Sequence, residues 1–285
     1  MKILFLAVLT GTAFAQPPGI PPPGIQPPDI EQIMSRVGRN QAKTQDLRKN
    51  FTYHQKQLLR MNYSNHKLAR EEKREYDVTP DVRGVKKELT KFEGHYPYKG
   101  KAVLYDRPGY HYKGVDIDGD LINSMSEDMT NDRNSRDGID HDLFPLTYHQ
   151  QLKYDFKLVG PETYRGREVY RVSFAPRHDK GIEDANWKGE ALIDQAEYQP
   201  LLVSTKLAFQ MPLLVKTLLG TDIKGLGFSL AYQKFEDGVW FPVSYGGEFE
   251  VRAVFFYKRT ISVSMVNSDF KRSLVNSTVT YQTQQ

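Results

Sequence analysis

Apolar residues recur along this chain in several distinct rhythms. The first is a block, Ile3 to Val8, behind Met1-Lys2 and ahead of Ala13-Phe14-Ala15. A basic start, a short apolar run and a small-x-small site predict a secretory leader cut after Ala15. The run is too short to span a bilayer as a mature helix. Residues 16–28 carry a near-repeat of proline pairs, Gln16-Pro17-Pro18-Gly19-Ile20, Pro22-Pro23-Gly24-Ile25 and Pro27-Pro28. Proline removes backbone donors and stiffens the chain, so this stretch reads as an extended spacer. A docking strip for a partner is the alternative. Next, Ile30, Ile33, Met34 and Val37 fall on one stripe of helical period, with Asp29 and Gln32 placed as a capping pair. That helix is predicted to run to about Leu47.

From Asn50 the period drops to two. Phe51, Tyr53, Gln55, Gln57, Leu59, Met61 and Tyr63 share one face of a long strand. Ser64 to Lys67 predicts a turn, followed by a polar strand from Leu68 to about Thr79 and a third strand from Val85 to Glu93. This meander is expected to keep one face in water. Short strands are predicted at Ala102 to Tyr105 and Tyr110 to Val115, then a long polar loop from Asn123 to Asp142 that could hold one helical turn.

The second half alternates again. Strands are predicted at Leu152 to Val159, Glu168 to Phe174, Glu190 to Asp194, Leu201 to Phe209, Gly225 to Phe235, Trp240 to Tyr245, Phe249 to Tyr257 and Thr260 to Val266. Glycine, proline and aspartate punctuate them. Met211 to Leu219 is apolar and reads as a short buried helix. Roughly ten to twelve strands without alternating helices exclude a parallel α/β sheet.

Composition changes this picture little. The chain has no cysteine, so disulfides are excluded, and a bacterial envelope protein fits better than a small eukaryotic secreted domain. Three Asn-x-Ser/Thr sites, at Asn50, Asn62 and Asn276, are too short a pattern to overturn that. A formal net charge of +4 is too mild to argue for nucleic acid. The 17 tyrosines and 15 phenylalanines suit sheet structure.

Candidate chemistry is sparse. Asp116, Asp118 and Asp120, with Glu127 in the twelfth position, approximate a calcium loop. The required glycine at the sixth position is Leu121, so a turn with solvated acids is expected. Asp140-His141-Asp142 lacks a second ligand pair, and His95, His111 and His149 lack zinc spacing. Gly227-Phe228-Ser229-Leu230-Ala231 lacks the final glycine and the strand-to-helix turn of a nucleophile elbow. Phe255-Phe256 between Arg252 and Lys258-Arg259 could touch a membrane surface, though a strand buried on both faces is preferred. No catalytic residue, metal or cofactor is expected. An outer-membrane barrel is disfavoured, because Thr280 to Gln285 lacks a terminal aromatic girdle.

One stretch carries a family likeness. Tyr164-Arg165-Gly166-Arg167-Glu168-Val169-Tyr170 runs on to Pro176, then Trp187 to Asp194, Pro200-Leu201, and Asp237-Gly238-Val239-Trp240-Phe241-Pro242. This order resembles bacterial outer-membrane lipoprotein-sorting proteins of the periplasmic lipoprotein-carrier superfamily, across most of residues 30 to 270. The resemblance implies an unclosed β-barrel that shelters acyl chains.

The expected fold is mainly β (α+β): a strongly curved antiparallel sheet forming an unclosed half-barrel over residues 29–285. The N-terminal helix and the short central helix should cover its concave face. The expected function is non-enzymatic binding of a lipid or acylated protein in the periplasm, with full secretion as the alternative location. The apolar cavity would be lined by Phe209, Met211, Leu213, Leu214, Leu218, Leu219, Phe228 and Trp240. For any single one of these side chains ordinary core is the more usual role. The rival function is an envelope interaction module with a filled core, docking proteins through the proline-rich arm.

Overall fold

The computed structural model describes residues 28–81, 84–112, 114–128, 145–177, 187–208, 221–224, 227–235, 238–253 and 257–273. The predicted leader, nearly all of the proline-rich stretch, the Met211 to Leu219 segment and Asp140-His141-Asp142 lie outside them.

Helix α1 spans Ile30–Arg48, as its apolar stripe predicts, and buries Ile33, Met34 and Val37. Asp29 sits at its N-cap without a side-chain capping bond, so the expected capping pair does not form. Strand β1, Phe51–Asn62, buries the alternate residues from Phe51 to Met61. It is followed by β2 (Leu68–Asp81), β3 (Gly84–Tyr98) and β4 (Lys101–Tyr105). Of the predicted strand at Tyr110 to Val115, the described residues Tyr110 to Tyr112 and Gly114-Val115 are irregular chain instead. It leads into α2, Ile117–Asp128, which occupies the start of the segment expected to be a loop. Ile117, Leu121, Ile122 and Met125 supply the helical apolar pattern there.

After α3 (Tyr148–Gln151) come β5 (Tyr154–Tyr164), β6 (Arg167–Pro176), β7 (Trp187–Asp194), β8 (Pro200–Leu207), β9 (Thr221–Lys224), β10 (Gly227–Lys234), β11 (Trp240–Ala253) and β12 (Tyr257–Arg272). Strand β5 runs through Gly160-Pro161, with a register shift between Leu158 and Gly160. An edge strand tolerates this proline, because its missing donor has no ladder partner on the open side. The reversal falls instead at Arg165-Gly166, both at positive φ (49° and 77°), which suits a two-residue hairpin. Two further predicted strands merge into the continuous β11. At Gly247 this strand pairs closely with β10, since a Cβ there would meet the Gly227 carbonyl and the Phe228 ring.

All pairings are antiparallel, in the order β4-β3-β2-β1-β12-β11-β10-β8-β7-β6-β5, with β9 beside β11. The first and last strands pair in the middle of the sheet, from Phe51 opposite Arg272 to Asn62 opposite Thr260. Strands β4 and β5 stand at opposite ends, so the sheet is an unclosed half-barrel. Its inner face carries the main core, in which Ile33, Met34 and Val37 of α1 and Ile122 of α2 join residues of nine strands from β1 to β12.

On the outer face, His54 stands between two carboxylates, with Nδ1 2.9 Å from Asp77 and Nε2 2.9 Å from Glu75. The Asp77 contact, with Glu75 adding to it against the opposing effect of burial, raises its pKa above 6.5. The raised folded pKa means this stabilisation is fully present below about pH 6.5 and is lost as pH rises through the folded value. Stability is therefore expected to fall over that window, and H54Q to flatten this limb in urea unfolding measured across pH. An unchanged slope would show that the pair contributes nothing.

Candidate functional site

The inner face is divided into an apolar half and a polar half. The apolar half belongs to β5–β8, β10–β12 and part of β1. Tyr170, Val172, Phe174, Ala191, Ile193, Val203, Leu230, Ile261 and Met265 lie there, all at most 9 % exposed. Helix α1 lies against it. The helix is also tied down by hydrogen bonds: Gln41 donates to Gln199 Oε1 at 2.8 Å, Asn40 to the Glu197 carbonyl at 2.7 Å, and Arg48 to the Trp240 carbonyl at 3.1 Å.

The polar half lies under α2. Arg70, Glu72 and Arg74 alternate along β2, and pairing of Glu72 with Leu59 and of Arg70 with Met61 puts them on the buried inner face. Their exposures are 1 %, 1 % and 2 %. Arg70 donates to the Tyr105 hydroxyl at 2.7 Å, to Asp116 Oδ2 at 2.8 Å and to the Tyr110 carbonyl at 2.9 Å. Tyr105 in turn donates to Glu72 Oε1 at 2.7 Å, and Arg74 donates to Glu72 Oε2 at 2.6 Å. Two arginines thus face two carboxylates, and the buried cluster is charge-balanced. Gly94, opposite Tyr105 on β3, leaves room for the ring to lie flat across the strand, where any Cβ would collide with it.

Helix α2 is seated by this cluster. Asp116 Oδ1 accepts the Gly119 N–H at 3.0 Å and caps the helix, while Oδ2 takes Arg70. Burial alone would raise the Asp116 pKa, but the Gly119 N–H and the Arg70 guanidinium outweigh it and hold the carboxyl below 3.8. Further along, Ser126 donates to Gln57 Oε1 at 2.8 Å, and Arg74 reaches Asn123 at 3.2 Å. Asp118 accepts the Tyr257 hydroxyl at 2.7 Å and the Arg259 guanidinium at 3.1 Å. Burial, together with the Asp118 charge, pushes the Tyr257 phenol well above its usual range. The expected turn with solvated acids is therefore corrected: Asp116 and Asp118 are ion-paired helix-start residues, and only Asp120, 3.2 Å from His111, stays at the surface.

Where α1 meets α3 and the start of β5, a groove of about 450 Å³ opens beside the apolar half. Ile30, Met34, Tyr148, Leu152 and Phe156 form its apolar walls, with Glu31, Asp155 and Arg177 at the rim. Tyr148 is 64 % exposed and Leu152 50 %, which is high for large apolar side chains.

Of the eight expected lining residues, the structure describes two, and it separates them. Phe228 is 6 % exposed, stacked on Tyr245 with centroids 5.2 Å apart and edge-on to Trp187 at 5.6 Å, so it is filled core of the apolar half. Trp240 belongs to a different cluster with Val169, Leu192 and Leu201, and its indole N–H donates to Glu197 at 3.1 Å. Val169 and Leu192 point away from their neighbours Tyr170 and Ile193, so this cluster sits on the opposite side of those strands. Phe209, Met211, Leu213, Leu214, Leu218 and Leu219 lie outside the described residues. Phe255 and Phe256 do too, while the flanking Lys258 pairs with Glu250 at 2.7 Å and Arg259 with Asp118.

Ser229 lies in the unbroken β10, its hydroxyl 3.1 Å from that of Ser204, without the sharp turn of a nucleophile elbow. Among the described residues, no group of three histidine, aspartate or glutamate side chains could hold a metal ion. None of the described helices is long and apolar enough to cross a membrane. The residues missed by sequence reasoning are Arg70, Glu72 and Arg74. Their period-two spacing was the available signal, but it reads equally well as a wet face.

No family model matches the chain, and no curated protein matches it. Among solved structures it is similar to a protein domain of the outer-membrane lipoprotein-sorting type from Vibrio parahaemolyticus, at 11 % identity and a TM-score of 0.37, covering 86 % of this chain and 94 % of that one. It is similar to a DUF1329 family protein from Desulfovibrio piger at 12 % identity and a TM-score of 0.35, covering 87 % and 95 %. A LolA superfamily protein from Nitrosomonas europaea is 10 % identical with a TM-score of 0.33, covering 86 % and 94 %. Solved structures of the LolA superfamily and of outer-membrane lipoprotein-sorting domains are thus among those this chain is similar to, at low identity and low TM-scores.

Proposed function

We propose that this protein is a non-enzymatic carrier that binds a lipid, or the acyl chains of a lipoprotein, in the periplasm. The observation that carries the reading is the apolar groove that opens between α1 and α3, beside the inner apolar half of an open sheet on which α1 lies. Tyr148 and Leu152 stand exposed at the wall of this groove, where an apolar ligand would cover them. Phe209, Met211, Leu213, Leu214, Leu218 and Leu219 are proposed to extend the lining. A leader over residues 1–15 and a spacer over 16–28, ahead of one domain over 29–285, complete the reading.

The test is native mass spectrometry of the mature protein purified without added lipid, before and after denaturing extraction. A bound species of lipid mass that disappears on extraction is expected. A clean apo mass, unchanged after incubation with phospholipid, would overturn the carrier reading. It would favour an envelope interaction module, the reading supported by the close packing of Phe228 in the core.

A further inference from the structure

The outer face of β5–β8 carries a second cleft, of about 620 Å³, immediately across the edge strand from the apolar groove. The two clefts share Asp155. Register sets the composition of the outer cleft. Lys157 pairs with Ser173, Ser173 with Glu190, and Glu190 with Ser204, so these residues share the outer face. Lys188 and Lys206, two residues along from Glu190 and Ser204, share it too and lie directly opposite each other.

Like charges directly opposed on neighbouring strands destabilise a sheet. The carboxylates nearby do not relieve this pair. Glu190 is 3.3 Å from Arg171, and Asp155 is 3.1 Å from Arg177. Among the described residues, Lys157, Lys188 and Lys206 have no carboxylate partner. The cleft therefore sets three lysines without an ion pair against two carboxylates, Asp155 and Glu190, that arginines already engage, and an anion arriving there eases the repulsion between Lys188 and Lys206.

Around the edge of β5, the exposed Tyr148 and Leu152 project from the groove wall. Cations on one side of a rim and exposed apolar side chains on the other match the two layers of a bilayer surface: anionic headgroups outside and acyl chains beneath. An acidic protein would use the lysines but gives no reason for the apolar side chains beside them.

We propose that this rim docks the protein on anionic membranes, with Lys157, Lys188 and Lys206 on lipid phosphates and Tyr148 and Leu152 entering the interface. The proposal rests on the carrier reading and deepens it, because docking would bring the mouth of the groove to the surface from which lipid is taken or to which it is delivered.

The experiment is flotation of the mature protein with vesicles of phosphatidylcholine alone or mixed with phosphatidylglycerol. Wild type is expected to bind the anionic vesicles, and more weakly as salt rises. K157Q/K188Q/K206Q should lose roughly a hundredfold in that binding, at about a few-fold for each lysine. Its lipid content in native mass spectrometry should stay as in wild type. Because K188Q removes a repulsion, its urea midpoint should be no lower than wild type, which separates lost docking from lost folding. Equal binding of wild type to neutral and anionic vesicles overturns the proposal, as does anionic binding unchanged by the triple substitution. Capture of an acidic protein without vesicle binding overturns it in favour of a protein partner. Vesicle binding by a protein that never carries lipid would refute the carrier reading and leave the docking rim standing.

Discussion

Replacing Arg70 with alanine is expected to destabilise the protein by about 3–5 kcal/mol, the range seen when one partner of a buried ion pair is removed. Arg70 is 1 % exposed and holds Asp116, the Tyr105 hydroxyl and the Tyr110 carbonyl at once. Without it, the cluster of Glu72, Arg74 and Asp116 carries a net negative charge under α2, and Asp116 loses its charged partner. Urea unfolding measures the loss. A second variant isolates the cause: R70M/D116N removes both charges and should recover part of the stability, because two neutral partners cost less to bury than one orphaned carboxylate. A double variant no more stable than R70A would show that the cost is lost packing rather than charge. The acid limb gives a further sign. The folded Asp116 pKa lies below 3.8, so its contribution is present above that value and lost as pH falls through the folded one. R70A should remove that acid-dependent loss.

Ile33→Asp is expected to cost a similar amount, about 3–5 kcal/mol, by placing an unpaired charge where no water reaches. Ile33 is fully buried between α1 and the apolar half of the sheet. The damage should be local. The second half of α1 is held by Gln41, Thr44 and Arg48 through hydrogen bonds to other elements, while the first half is held by Ile33, Met34 and Val37. Amide hydrogen exchange should therefore accelerate from Ile30 to Val37 and persist longer beyond Gln41. Uniform acceleration along the helix would mean that α1 leaves the sheet as one unit. A loss below about 1 kcal/mol would show that the helix is not seated by its apolar stripe.

The two variants address different halves of the inner face, and that division bears on any ligand. Acyl chains are compatible with the surface beneath α1. They are not compatible with the floor beneath α2, where two guanidinium and two carboxylate groups satisfy one another. A lipid bound as proposed would lie along the α1 side and enter beside α3.

The helical stripe of α1 and the buried face of β1 could be read from the chain alone. Helix α1 follows from the stripe Ile30, Ile33, Met34 and Val37, and β1 from seven alternating residues, because a period of 3.6 or 2 is a local geometric fact needing no partner. The hairpin that pairs β10 with β11 is local for the same reason. Pairing of the first strand with the last was not legible, since it joins residues about two hundred positions apart and nothing near either strand encodes it. Burial of Arg70, Glu72 and Arg74 was hidden for a related reason. Alternating charge on a strand normally marks water, and only the pairing of β2 with β1, and the seating of α2 above both, turns that face inward. Helix α2 was missed because its polar residues outnumber its apolar ones, and they are satisfied by a floor that exists only in three dimensions. Composition and period therefore determined which segments fold and how each turns its sides. The tertiary structure decided which side meets water, because dehydrating a charge is tolerable only where folding delivers its partner.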